Sequence, residues 1–105
     1  MAINFKMVVH RNSENTHLKL VGDFDGSSAH ELINMLKDNC RRSSKVFIHT
    51  NSLQHVDWFG RNVFLSNLKL VKMKFSLIVF TGKKAAELVP ENTNNSIRNI
   101  CVTVH

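Results

Sequence analysis

The chain has few of the residues that several common protein classes require. Two cysteines in 105 residues are too few for a disulfide framework. None of the four glycines are spaced as in a glycine-rich loop, where backbone amides approach a phosphate. The longest apolar runs, such as residues 77–80, are far shorter than the ~20 residues that span a bilayer. These features argue against a secreted or membrane-spanning protein.

The remaining composition is that of an ordinary globular domain. Hydrophobic residues make up 43% of the chain and charged residues 21%, which is neither disordered nor fibrous. The N-terminal residues alternate apolar and polar side chains, unlike a signal peptide. We therefore expect a single domain over residues 1–105, located in the cytoplasm.

The net charge of +6 is spread along the chain in small groups. Groups near Lys45, Lys72 and Lys83 fall where helix ends or surface turns favour cations, so a solvated surface explains them. No zinc-finger spacing, Arg/Gly-rich tail or aromatic RNA-binding signature accompanies them. The sequence therefore predicts no nucleic-acid partner.

The first half of the chain predicts a hairpin followed by a helix. Apolar and polar residues alternate over 3–9, and residues 18–21 form a second strand after a polar connection. Residues 22–28 read as a turn, and Ser28 with Glu31 fits a capping box at the start of a helix. That helix carries one apolar stripe, formed by Ala29, Leu32, Ile33, Leu36 and Cys40.

The second half alternates strands and helices. Residues 46–48 predict a strand buried on both faces, and a polar loop follows. A helix with Val63, Phe64, Leu68 and Val71 at helical spacing precedes a buried strand over 75–80. A short helix over 83–89, supported by Lys83 and Glu87, stops at Pro90, and residues 100–104 alternate as a last strand. This order predicts an α/β fold: a mixed sheet with an N-terminal antiparallel hairpin, then parallel strands with crossover helices.

The cysteines and histidines do not indicate a catalytic or metal-binding site. Cys40 and Cys101 lie on predicted apolar positions and are interpreted as packing residues. The histidines lack a paired metal-ligand spacing, although His10 and His17 could meet across the hairpin. We predict no metal, no cofactor and no catalytic residues, since no acid–base or nucleophile constellation emerges.

The most informative segment is the loop Asp57-Trp58-Phe59-Gly60. It joins a buried strand to a helix, and the carboxyl ends of strands form the usual functional edge of an α/β sheet. Two large aromatic residues in such a loop are unusual. Either both rings pack into the protein, or at least one is exposed as an interface anchor. The sequence leaves both interpretations open.

These segments together resemble the STAS domain family, to which bacterial anti-sigma-factor antagonists and the cytoplasmic tails of sulfate transporters belong. Residues 18–25, LKLVGDFD, resemble the family's strand and its Gly-acidic-apolar-Asp turn, and the first helix follows. Residues 46–60, VFIHTNSLQHVDWFG, resemble its buried strand and Asp-Ser-Ser/Thr-Gly loop. The strand over residues 75–80 and the helix after it also match the family pattern. The resemblance therefore covers residues 3–89.

The resemblance also shows where this chain departs from the family. The serine or threonine that a partner kinase phosphorylates in the family is replaced here by Trp58, and the next residue is Phe59. Neither side chain has a hydroxyl, so the resemblance implies that the phosphorylation switch is lost. His49 stands where many members have an acidic residue, and the family's last helix is missing or very short.

The resemblance implies a non-enzymatic protein-interaction module in bacterial signalling, with an anti-sigma-factor kinase or related regulator as partner. The expected contact loop consists of Asp25, Asp57, Trp58, Phe59 and Gly60. Asp25 could equally be a turn residue, and Asp57 a helix cap. Two alternatives stay open: a STAS-like accessory subunit of a membrane transporter, and a domain that binds a nucleotide or metabolite at Trp58. The sequence does not predict an oligomeric state.

Overall fold

The computed structural model describes residues 4–39, 45–68, 77–89 and 100–103. Its elements are β1 (Lys6–Arg11), β2 (Asn15–Phe24), α1 (Gly26–Asn39), β3 (Lys45–Val56), α2 (Trp58–Leu68), β4 (Leu77–Thr81), α3 (Ala85–Leu88) and β5 (Ile100–Thr103). Cys40, Val71 and Pro90 lie outside the described residues, as does the side chain of Cys101. The packing role of the two cysteines stays a prediction.

The described strands form one mixed sheet in the order β1-β2-β3-β4-β5. The hairpin β1–β2 is antiparallel, and β2–β3, β3–β4 and β4–β5 are parallel. This arrangement confirms the predicted α/β fold, with an N-terminal hairpin followed by parallel strands. Among the described helices, none is long and apolar enough to cross a bilayer.

The core lies between one face of the sheet and the helices. From α1 the predicted stripe residues Ala29, Leu32, Ile33 and Leu36 are all at most 3% exposed. They share one apolar cluster with alternate strand residues such as Leu18 and Ile48, and with Phe64 of α2. Because apolar side chains recur every three or four residues in the helices and every second residue in the strands, both can face one core.

The strands extend beyond their predicted bounds: β1 reaches Arg11 and β2 begins at Asn15, within the predicted connection. The predicted turn at residues 22–24 belongs to β2, and the predicted polar loop after residue 48 belongs to β3, which continues to Val56. The register between β2 and β3 shifts between Lys19 and Val21 and again between Gly22 and Asp23. At each shift β3 carries one extra residue, as in a β-bulge, which interrupts the alternation expected of a strand.

Smaller corrections concern the face patterns and the last helix. Phe47 is half-buried, so the segment over 46–48 is not fully buried on both faces. α3 is shorter than the predicted helix over 83–89. Its ion pair joins Lys84 to Glu87 with an N–O distance of 3.5 Å, in place of the predicted pair of Lys83 and Glu87. The turn at residues 82–84 delays the helix, so Lys83 lies outside it, and Lys84 at the N-cap pairs with Glu87 three residues on.

Candidate functional site: the paired helix starts

The starts of α1 and α2 lie side by side at one edge of the sheet. The backbone N–H of Asp57 donates to the carbonyl of Phe24 at 2.8 Å. A Cβ atom at Gly60 would lie 2.5 Å from the carbonyl carbon of Asp25, so only glycine allows this approach. The fold therefore brings together Asp25, Asp57, Trp58, Phe59 and Gly60, and we call this region the helix-start surface.

Asp25 caps α1. Its Oδ1 accepts hydrogen bonds from the Ser28 N–H at 3.0 Å and from the hydroxyls of Ser27 at 2.9 Å and Ser28 at 3.1 Å. Burial raises the pKa of this carboxyl, but the hydrogen bonds from Ser28 and Ser27 outweigh it and lower the pKa to about 2. The predicted capping box at Ser28 and Glu31 is therefore wrong. The helix begins at Gly26 because Asp25 satisfies its free amides.

Asp57 caps α2 in the same way. Its Oδ2 accepts a hydrogen bond from the N–H of Gly60 at 3.3 Å, and its backbone carbonyl accepts one from Arg61 at 2.9 Å. This is one of the roles that the sequence suggested for Asp57. Both helix starts are thus held by carboxylates, which the positive end of a helix dipole favours.

The two aromatic side chains between these caps point into solvent. Trp58 is 68% exposed and Phe59 is 59% exposed, so the interpretation in which both rings pack into the protein is wrong. A Cβ atom at Gly26 would lie 3.1 Å from Cε2 of Phe59, so the Phe59 ring rests beside the start of α1. The rings therefore form an exposed apolar patch on the capped start of α2, next to the capped start of α1.

Sequence reasoning missed the contributions of Ser27, Ser28 and Gly26 to this surface. The spacing Asp25-x-x-Ser28 was a usable signal, because an N-cap carboxylate bonds the amide three residues on. No local pattern indicates the contact between Gly26 and Phe59, since it joins residues 33 positions apart in the chain.

Histidines also come together, on the opposite side of the sheet from the helices. His10 and His17 face each other across the hairpin with ring centroids 6.4 Å apart. Nδ1 of His17 lies 2.9 Å from Nε2 of His49, and Nδ1 of His49 lies 2.7 Å from Oγ1 of Thr81. Within the ranges that the structure describes, no three His, Cys, Asp or Glu residues form a group that could hold a metal ion.

Comparisons with known proteins give a structural match without a sequence match. No family model matches the sequence, and no curated protein sequence matches it. Among solved structures, the anti-sigma factor antagonist SpoIIAA in its unphosphorylated form matches with a TM-score of 0.58 and 10% sequence identity. The match covers 96% of this chain and 87% of that one. At this identity the likeness establishes the fold alone: the chain has the α/β architecture of a STAS-like domain.

Proposed function

We propose that the protein is a non-enzymatic regulatory module that binds a protein partner through the helix-start surface. The exposure of two adjacent aromatic side chains, Trp58 at 68% and Phe59 at 59%, carries this proposal. Large aromatic residues dominate the binding energy of interfaces, and tryptophan is the most enriched among them. The likeness to an anti-sigma factor antagonist supports a regulatory role of the same kind.

The scaffold under the two rings suits this role. Both helix starts are capped by carboxylates, and the backbones of Asp25 and Gly60 are in direct contact. A patch whose backbone is already ordered loses less conformational entropy when it binds. The proposed partner is an anti-sigma-factor kinase or a related regulator, by analogy with the matched fold.

The proposal includes constitutive binding. A phosphate at the start of α2 would add about two negative charges to the interface, but Trp58 has no hydroxyl to accept it. Binding would therefore not be controlled by phosphorylation at this position.

A quantitative pull-down with the tagged full chain tests the interface. The Trp58→Ala/Phe59→Ala variant should lose a regulatory partner that the native chain retains. A matched control is Val8→Thr/Val9→Thr, which alters the other two large exposed hydrophobic residues among those described, at 54% and 38% exposure. This control should retain the partner, because it removes apolar surface elsewhere and keeps β-branched side chains in the strand.

Equal retention by the native chain and the aromatic variant would contradict the proposal. Circular dichroism and urea unfolding must first show that both variants are folded. The partner would then be confirmed with purified proteins by following the emission of Trp58, which is the one tryptophan of the chain.

The absence of a phosphorylation switch is tested with an anti-sigma-factor kinase and ATP. Mass spectrometry should find no phosphate on residues 50–66 of the native chain. The Trp58→Ser variant restores a hydroxyl at the family position and serves to show whether the kinase reaches the loop. Phosphate on Thr50, Ser52 or Ser66 of the native chain would contradict constitutive binding.

A further inference from the structure

The described helices cover one face of the sheet and leave the other without a helical layer. Buried residues of α1, α2 and α3 share one core cluster with Leu18, Ile48 and Phe80. The strand residues between these positions are half-buried or exposed and do not belong to that cluster. We call this second side the open sheet face, and its residues include Lys6, Lys19, Lys45, His17, Phe47 and His49.

Three aromatic rings lie at the centre of the open sheet face. His17 on β2 and Phe47 on β3 are register partners, and their rings are parallel within 8° with centroids 4.7 Å apart. The ring of His49 is parallel to both, within 3° of His17 and 5° of Phe47. Each of the three side chains is half-buried, so part of each ring is accessible to a ligand.

Cations surround this aromatic row. Lys6, Lys19 and Lys45 are exposed on β1, β2 and β3, and Lys19 is the register partner of His49. On this face of the described strands, Asp23 is the one acidic residue, and its Oδ2 accepts a hydrogen bond from Asn4 at 3.3 Å. The face therefore presents positive charge around rings that a flat ligand can contact.

This charge pattern is produced by the topology. The three lysines are far apart in sequence and lie on one face because β1, β2 and β3 are neighbours in the sheet. Along the strands, Lys6 is level with Val21 and Lys45 is level with Asn15, with Lys19 between them. The sequence-based expectation of no nucleic-acid partner rested on the scatter of basic residues along the chain and on the lack of known nucleic-acid-binding motifs. In the folded protein these three side chains share one face of the sheet.

We propose that the open sheet face binds single-stranded nucleic acid. Bases would contact Phe47, His17 and His49, and phosphates would contact Lys6, Lys19 and Lys45. Aromatic side chains on an open sheet stack bases of single strands, and nearby cations attract the backbone. Three of the four histidine ring nitrogens are engaged with each other and with Thr81, which leaves Nε2 of His17 as the hydrogen-bonding group for a base beside the phenyl ring. This site is independent of the proposed function, which uses the opposite ends of the strands and the helix starts.

Single-stranded nucleic acid fits this face better than two other polyanions. Duplex DNA is read mainly by an element inserted into its major groove, whereas these rings lie within a sheet between neighbouring strands. Anionic membranes attract exposed lysines as well, but insertion would use exposed apolar side chains. Of the large exposed hydrophobic residues among those described, Trp58 and Phe59 belong to the helix-start surface, and Val8 alone lies on this face.

Fluorescence anisotropy with a labelled uridine oligonucleotide of about 12 nucleotides tests the site. The full chain should bind this RNA more tightly than a duplex of equal length. The Lys19→Gln/Lys45→Gln variant should reduce the slope of log affinity against log salt by about 1.4, at roughly 0.7 per lost phosphate contact. Lys83→Gln/Lys84→Gln removes the same charge from the turn before α3 and should leave the slope nearly unchanged.

Phe47→Leu tests the aromatic contribution while keeping apolar bulk in the strand. It should weaken RNA binding roughly fivefold or more, the minimum expected for loss of one stacked base. If the Lys19→Gln/Lys45→Gln and Lys83→Gln/Lys84→Gln variants reduce the salt slope equally, the proposal is overturned, because attraction by net charge would then account for the binding. Equal or tighter binding of the duplex, or no effect of Phe47→Leu in a folded protein, would also overturn it.

Two further arms distinguish a nucleic-acid site on this face from a membrane surface and from binding at the helix starts. If phosphatidylserine vesicles bind in a manner that depends on Lys19 and Lys45 while the RNA does not bind, the face is a membrane surface and the proposal fails. The Trp58→Ala/Phe59→Ala variant should bind RNA like the native chain. Loss of RNA binding in that variant would place the nucleic acid at the helix-start surface and overturn the assignment.

Discussion

At the scale of single residues, Asp25 links the start of α1 to the candidate interface. Its side chain accepts three hydrogen bonds from Ser27 and Ser28, and its backbone supports Gly60. The sequence singled out Asp25 through the family resemblance and left its role open. The spacing to Ser28 was available in the sequence, but the competing Ser28 and Glu31 pair matched a capping box equally well.

Replacing Asp25 should destabilise the protein through loss of this cap. We expect Asp25→Ala to lower the free energy of unfolding by about 1 kcal/mol, the usual cost of removing an N-cap side chain. Urea unfolding at neutral pH measures the change. Ser27→Ala, which leaves the bond from the Ser28 amide in place, should cost less, and an equal or larger cost would contradict the capping role.

The low pKa of Asp25 predicts an acid-dependent loss of stability. Because the pKa falls from 3.8 to about 2 on folding, the stabilising contribution is fully present above pH 3.8 and is lost as the pH falls towards 2. Asp25→Asn keeps an N-cap acceptor and has no charge to titrate. Its stability should therefore fall less than that of the native chain over this range, as followed by urea unfolding at stepwise lower pH.

His49 predicts a second pH dependence, near neutrality. Burial lowers the pKa of His49 from 6.5, and the nearby His17 lowers it further. The unfolded chain then binds more protons than the folded one below pH 6.5, so the stability declines as the pH falls through that value. Urea midpoints at about pH 7.5 and 5.5 should show this decline.

His49→Gln should reduce the dependence on pH between these two conditions. The control is His55→Gln, at an exposed position of the same strand, which should leave it unchanged. If the urea midpoint of His49→Gln depends on pH as strongly as that of the native chain, another titratable group causes the loss of stability.

At the scale of secondary-structure elements, the contact between α1 and α2 depends on the space at Gly60. A methyl group there would lie 2.5 Å from the Asp25 carbonyl carbon, whereas at Gly26 it would lie 3.1 Å from the Phe59 ring. The backbone of Asp25 is held by neighbouring hydrogen bonds, but the exposed ring of Phe59 can move. The two glycines therefore form a matched pair for substitution.

Gly60→Ala should destabilise the protein by about 1–3 kcal/mol, the usual cost of forcing extra volume into a packed contact. Gly26→Ala should cost at most about 0.5 kcal/mol, since alanine is the better helix former. Thermal and urea unfolding of both variants measure the difference. If the two variants lose similar amounts of unfolding free energy, the starts of α1 and α2 can move apart at little cost.

The elements differ in how well the sequence predicts them. The stripe of α1 was predictable because Ala29, Leu32 and Leu36 follow the helical period and are all buried. The second half of β3 was not predictable, because two register shifts against β2 break the alternation and place polar residues such as Asn51 and Gln54 in a strand. Asn51 and Gln54 lie at the shifts, while the pairing of Ser52, Leu53, His55 and Val56 with β2 keeps this half of β3 in the sheet. A local pattern does not record such pairing.

At the scale of the whole molecule, the order of elements was enough to predict the fold class. The hairpin and the alternating strands and helices left few possible topologies. The structure has the predicted fold class, which it shares with the matched antagonist at only 10% sequence identity. The sequence also indicated the loop of the helix-start surface. The exposure of Trp58 and the placement of three lysines on one sheet face both depend on the three-dimensional arrangement. Neither followed from the sequence.

The sheet predicts a gradient of amide protection. β1 is an edge strand and its residues Val8 and Val9 are exposed, whereas β2 and β3 are paired on both sides over most of their length. Hydrogen exchange should therefore be faster in β1 than at Leu18 or Ile48. Protection of β1 equal to that of β3 would indicate that another chain covers this edge in solution.

The order of the strands also bears on synthesis at the ribosome. Since β1 to β5 lie in the sheet in the order in which they are translated, no strand has to insert between two that are already paired. Each new strand can add to the growing edge as it emerges, and α1 follows the hairpin before β3 pairs with β2. Chains that fold as they are made expose unpaired strands for a shorter time, so this topology favours productive folding from the N-terminus onward.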